Sequence, residues 1–231
     1  MLASAAEEQN GTGVFYQGRW VDPRKERWLG YKLFHVACLK VGECDPQYPV
    51  LRYVCDRLGL NVEERLWLAF LFSLCYCAPN AFFMFTEFPE YAKTSVRDLA
   101  LWWRENKSRT LFQTDRTYVK NRDWVVPAFA SYKKLVGPSQ EERWRSFIVQ
   151  GNRVATYRKA FQYFTNLRYF GRFALFLLLE AVHYLTGYPA EPDVIPLEDA
   201  ESSRNGLCYA MGLDHWVRKS VPRAGWRILY E

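Results

Sequence analysis

Three histidines and six cysteines are all that this 231-residue chain offers a soft metal, and their spacing does not gather them. Cys38, Cys44, Cys55, Cys75, Cys77 and Cys208 contain no C-x-x-C pair, and His35, His183 and His215 stand far from Cys75 and Cys77. No metal is expected, and reduced core thiols are the default. A Gly-rich dinucleotide fingerprint and a P-loop are both missing, so no nucleotide cofactor is expected. The first residues, "MLASAAEEQNGTG", lack the basic and apolar regions of a secretory signal and read as a frayed tail over 1–13 of a cytoplasmic protein. Internal repeats, low-complexity tracts and long linkers are absent too, which leaves a single domain over 1–231.

What is present is apolar and aromatic. Apolar residues make up 49% and charged residues 24%, the profile of a packed globular chain. Aromatics reach 17%, with nine Trp, which suits either base stacking, a large flat ligand or an aromatic-heavy core. A net charge of +6 and a pI near 9.0 favour a polyanion, whether nucleic acid or an anionic membrane surface. The distribution of charge says more than its sum. Between Arg143 and Leu179 the basic residues are Arg143, Arg145, Arg153, Arg158, Lys159, Arg168 and Arg172, and there is no acid. A second basic stretch, "RENKSRTLFQTDRTYVKNR", sets Arg104, Lys107, Arg109, Arg116, Lys120 and Arg122 against two acids.

Helical spacing dominates the chain. Asp22-Pro23 and Asp45-Pro46 read as helix starts, with a stop near Gly59. Helices are also expected in "NVEERLWLAFLFSLCYC", "TSVRDLALWWREN" with Thr94 or Ser95 as cap, "PSQEERWRSFIVQ", "NRVATYRKAFQYFTNLRYF", "GRFALFLLLEAVHYLTG" and "PLEDAESSRNGLCYAMG". Strand signals are few, and "TLFQTDRTYVK" reads as a short hairpin or an extended arm. The fold class is therefore all-α. Leu66–Phe85 is charge-free and long enough to span a bilayer. Its capped, acidic start and its break at Pro79 instead predict one buried helix ending at the proline.

The densest chemistry lies in "NLRYFGRFALFLLLEAVHYLTG", Asn166 to Gly187. A helix ending near Tyr169, a turn at Gly171 in positive φ and a new helix from Arg172 make a tight hairpin. The second helix starts with free N–H groups, a seat for a phosphate flanked by Arg168 and Arg172. Tyr169, Phe170 and Phe173 pack beneath that seat or reach toward a groove. The plain alternative is a helix–helix turn with solvated arginines and aromatics in the core. Glu180 and His183 lie on a helix apolar enough to be buried, so each needs a partner or a function. Next comes "YPAEPDVIPLEDAESSRNGLCYAMGLDHW", where Glu198, Asp199, Glu201, Ser202, Ser203, Arg204 and Asn205 fall within about two helical turns. A carboxylate there suits a general base, and the Arg–Asn pair suits a phosphate or substrate carboxylate. Cys208 could add to a pyrimidine ring, although a buried thiol is its simpler role.

"NLRYFGRFALFLLLEAVHYLTG" followed by "PLEDAESSRNGLCYAMG" resembles the phage amino acid:DNA transferases of thymine hypermodification. These are related to the α-glutamyl/putrescinyl thymine pyrophosphorylases and to helix-hairpin-helix DNA glycosylases. The resemblance spans roughly 153–214, the hairpin and active-site segment, and implies the helix-hairpin-helix glycosylase fold. "YFGRF" takes the hairpin position, and Asp199 falls where the glycosylase acid follows a proline-containing connection. The chain departs from glycosylases in lacking the second hairpin glycine, a Schiff-base lysine and a four-cysteine cluster.

The resemblance implies substitution at the exocyclic methylene of an activated 5-hydroxymethyluracil in double-stranded DNA. An amino acid, plausibly glycine, attacks through its amine and displaces phosphate or pyrophosphate inside a phage-infected bacterial cell. Asp199, Glu201 and Glu180 are the candidate bases. Arg204, Asn205, Ser202 and Ser203 are the candidate holders of the leaving group and the amino-acid carboxylate. DNA contacts are expected from Arg168, Tyr169, Gly171, Arg172, Phe173, Tyr163 and Lys159, and from Arg116, Lys120 and Arg122. Tyr163, Tyr169 and Phe173 are placed to fill the gap of an everted base. The rivals are a DNA glycosylase of the same fold, a non-enzymatic DNA-binding protein and, more distantly, a membrane-surface protein.

Overall fold

The computed structural model describes residues 14–16, 18–21, 27–42, 45–110 and 121–192. The expected tail over 1–13, the arm over 111–120 and the helix over 196–212 lie outside these residues. Backbone contacts divide the chain at Pro192, and the elements below belong to the first unit, Met1–Glu191.

The all-α expectation holds, with one addition. A short antiparallel pair, β1 (Val14–Tyr16) and β2 (Arg19–Val21), sets Val14 opposite Val21. The helices that follow are α1 (Arg27–Val41), α2 (Gln47–Leu58), α3 (Val62–Cys75), α4 (Ala78–Glu87) and α5 (Val96–Asn106). Two single 3₁₀ turns, Lys107–Arg109 and Arg122–Trp124, precede α6 (Val125–Val136). The described part finishes with α7 (Gln140–Arg145), α8 (Arg153–Phe164) and α9 (Arg172–Thr186).

The caps explain the boundaries. Asn61 accepts from Glu64 N–H at 3.0 Å while the Glu64 side chain accepts from Asn61 N–H at 2.8 Å, a complete capping box for α3. Ser95 caps α5, Ser139 caps α7 and Asn152 caps α8 in the same side-chain-to-N–H manner. Gly59 ends α2 at φ 64°, a left-handed turn that a Cβ would strain.

The charge-free run does not form one helix. α3 stops at Cys75, Tyr76 turns left-handed at φ 48°, and Pro79 lies in the first turn of α4, where its missing N–H leaves nothing unsatisfied. Among the described residues no helix is long and apolar enough to cross a membrane.

Every residue from Leu66 to Cys75 is buried, so α3 is the central strut, and α9 packs along it with its own apolar residues. Each such Leu or Phe contributes about 1.5–3 kcal/mol by leaving water. Cys55, Cys75 and Cys77 are buried free thiols, and Cys38 is buried as well. Burial pushes Cys55 up to about 11 and Cys75 to about 12, which keeps both protonated and inert at neutral pH.

Candidate nucleic-acid interface

The segment between α8 and α9 is the hairpin singled out in the sequence. α8 ends at Phe164, five residues before the position expected from the sequence, and 165–171 form the turn. Leu167 and Phe170 face the core, at 2% and 5% exposure, and Phe170 stacks on Phe70 at 5.9 Å. The backbone of Arg168 donates to Ser131 Oγ at 3.1 Å, which ties the turn to α6. With Leu167 and Phe170 held inside, Arg168, Gly171, Arg172 and Phe173 are exposed and Tyr169 is half-buried.

The expected glycine turn is corrected here. Gly171 has φ −75° and ψ 176°, extended backbone open to any residue, and a Cβ on it would meet nothing within 4 Å. The positive φ belongs to Tyr169, at 67°. What Gly171 supplies is a bare N-cap: among the described residues no side-chain hydrogen bond caps α9 at this position, and a Cβ here would have room.

Tyr169 lies flat on Trp124, with ring centroids 4.7 Å apart and planes 5° apart. The Arg168 guanidinium sits over the Tyr169 ring at 4.8 Å. Trp124 closes the 3₁₀ turn that Asn121 caps, and Trp103 Nε1 donates to Arg122 O in that turn at 2.8 Å. Beside it an open recess of about 440 Å³ is lined by Lys107, Ser108, Asn121, Arg122 and Asp123. Lys107 and Asp123 pair across it at 2.7 Å. The sequence reading passed over Trp124, whose signal was a lone Trp beside a basic stretch in "KNRDWVV".

The acid-free run is partly neutralised by folding. Arg145 pairs with Glu141 and Arg153 with Glu191, both from flanking segments. Lys159 Nζ donates to Ser146 O at 2.6 Å. The Arg143 guanidinium lies over the Tyr163 ring at 5.2 Å, and Tyr163 donates to Leu135 O at 2.6 Å with its ring against Phe147 and Phe164. Phe173, 49% exposed, stacks on Phe176 at 5.9 Å.

Two turns down α9 from Arg172, Glu180 is only half-buried, and its Oε2 accepts from the Tyr48 hydroxyl at 2.7 Å. Tyr48 in turn stacks on Tyr184 at 5.2 Å. Burial, and then the nearby Glu180 charge, push the Tyr157 hydroxyl up to about 12, while Arg172 pulls the other way. Glu180, Tyr157 and Arg172 therefore share one electrostatic neighbourhood. His183 is occupied structurally: its Nδ1 meets Tyr188 O at 2.7 Å, closing the end of α9. Asp199, Glu201, Ser202, Ser203, Arg204, Asn205, Cys208, Arg116 and Lys120 lie outside the described residues.

Comparison with known proteins gives this surface its context. A family model described as "Amino acid:DNA transferase" matches residues 40–221, most of the chain and the whole hairpin region. The chain belongs to the amino acid:DNA transferase family. It is 28% identical over 167 residues, 69% of its length, to a protein named serinyltransferase from Salmonella phage ViI. The match covers 40% of that relative, so this chain spans only part of its length. No solved structure matches the chain significantly. The exposed hairpin between α8 and α9 thus falls inside the matched transferase segment.

Proposed function

We propose that this chain replaces the phosphate or pyrophosphate of an activated 5-hydroxymethyluracil in double-stranded DNA with an amino acid. The observation that carries the reading is the family match over 40–221. The amine nitrogen attacks the exocyclic methylene carbon, the carbon–oxygen bond to the ester breaks, and phosphate or pyrophosphate leaves with its electron pair. The attacking ammonium must first lose a proton to a base. Asp199, Glu201 and Glu180 are the bases proposed, and Arg204, Asn205, Ser202 and Ser203 hold the leaving group and the amino-acid carboxylate.

The exposed turn supports the DNA side of this reading. Arg168 and Arg172 flank the bare N-cap at Gly171, where N–H groups and the helix dipole favour a backbone phosphate. Among the described residues Arg168 has no carboxylate partner. Tyr169, Phe173, Tyr163, Lys159, Arg116, Lys120 and Arg122 extend the proposed contact surface. The target methylene reaches a helical pocket only if its base leaves the stack. The whole chain is proposed to act as one domain in the cytoplasm of a phage-infected cell.

Glycine is the donor implied by the family resemblance. Serine is the second choice, because the relative that is 28% identical bears the name serinyltransferase. The test is a panel: duplex carrying phosphorylated or pyrophosphorylated 5-hydroxymethyluracil is incubated with the protein and each amino acid in turn. Inorganic phosphate or pyrophosphate release that depends on one amino acid is expected. Release that is independent of every amino acid, or no release at all, rejects the transferase.

A further inference from the structure

Two residues other than glycine adopt positive φ among those described, Tyr76 and Tyr169. A bulky side chain in that region costs about 1–3 kcal/mol, so the surroundings must enforce it. For Tyr76 the reason is internal. Its ring is 5% exposed against Phe72, and its hydroxyl donates to Asp45. Tyr169 is held by Leu167 and Phe170, which anchor the turn in the core on both sides of it, while its own half-buried ring lies at the rim of the core, parallel on the half-buried Trp124. The strained backbone therefore holds a ring where a regular turn would not place it.

Accepting the DNA reading above, we infer that Trp124 and Tyr169 form a stacking platform for one unpaired nucleobase, with Arg168 as its cationic edge. Parallel rings with a guanidinium over one of them reproduce the chemistry that grips a base by its π-face. The platform is also placed for a backbone. Trp124 belongs to the same 3₁₀ turn as Arg122, which lines the recess with Lys107, and Tyr169 stands two residues before the bare N-cap of α9. A base stacked there would have phosphates on either side within reach of cations or N–H groups. Paired bases inside a duplex present no free face, so the platform discriminates by base-pairing state and not by sequence.

The test compares two dye-labelled duplexes that differ by a single bulged thymine, titrated with the full chain by fluorescence anisotropy. The wild type is expected to favour the bulged duplex, and Trp124→Ala to lose roughly tenfold or more of affinity for it. Affinity for the fully paired duplex, and its salt dependence, are expected to stay unchanged, because no charge is removed. Trp124→Phe, which keeps a stacking ring, is expected to restore most of the preference. Tyr169→Gly, which suits the left-handed backbone, is expected to retain helical circular dichroism and still lose the preference. Equal wild-type binding to both duplexes, or equal weakening of both by Trp124→Ala, overturns the platform and leaves the DNA reading standing. Binding to neither duplex overturns both.

Discussion

Arg172 is the residue on which the backbone-gripping role of the hairpin can be tested alone. It is exposed at the first turn of α9, next to an open N-cap. Arg172→Glu is expected to weaken binding to all duplex sequences alike and to flatten the log affinity against log salt slope by at least about 1. Unchanged duplex affinity would remove the hairpin from the interface. Among the three proposed bases, Glu180 is already engaged by a hydrogen bond from the Tyr48 hydroxyl. The larger kinetic effect is accordingly expected at Asp199: Asp199→Asn should lower transfer by about 10²–10⁴-fold with DNA affinity kept. Full activity in that variant would move the base to Glu201 or Glu180. The arginines and the exposed glycine were legible in the sequence because charge and turn residues announce themselves locally. The left-handed Tyr169 was not, since it follows from Leu167 and Phe170 being pulled into the core on either side.

At the scale of elements, most boundaries could be read from caps. Gly59, Asn61, Ser95, Ser139 and Gly187 all stop or start the helices their chemistry suggests. The central helix, expected to end at Pro79, stops a few residues earlier at Cys75, with Tyr76 left-handed, where no Gly or Pro marks the break. The role of Glu63 was also hidden. It reads as an acid complementing the dipole of its own helix, yet its carboxylate accepts from Gln140 N–H at 2.8 Å and Glu141 N–H at 2.6 Å, capping α7 from 77 residues away. Gln140, fully buried, answers through Glu63 O at 3.0 Å and accepts from Tyr132, which accepts from Trp144. Glu63→Ala would strand two donors at a partly buried helix start. A loss of about 2–3 kcal/mol is expected by urea denaturation, and a loss near zero would mean water replaces the cap.

At the scale of the whole molecule, the aromatics among the described residues prove to be largely in or against the core. Trp67, Phe70, Phe129, Tyr132, Trp144 and Phe164 interlock around α3, so the high Trp count alone says little about ligands. This core sets the alkaline limit of stability. Burial raises Tyr91, Tyr132, Tyr157 and Tyr188 above the usual tyrosine value of 10.0, and Cys55 and Cys75 above 9.0. The unfolded chain therefore releases these protons at lower pH than the folded one, and stability falls as pH rises. The melting temperature is expected to be insensitive to these groups below pH 9 and to drop between about 9 and 12. Tyrosinate absorbance from the buried rings should appear together with the loss of helical signal. Its appearance in a fully folded protein would contradict the packing described.

The central claim is a new carbon–nitrogen bond on a DNA base. It is tested most directly by digesting to nucleosides a phosphorylated 5-hydroxymethyluracil duplex exposed to the protein and ¹⁵N-labelled amino acid, then weighing them. A thymidine derivative that keeps the heavy nitrogen, in strands that remain intact, is the predicted result. Abasic sites, or nucleosides without label for glycine, serine and every other amino acid, would contradict it.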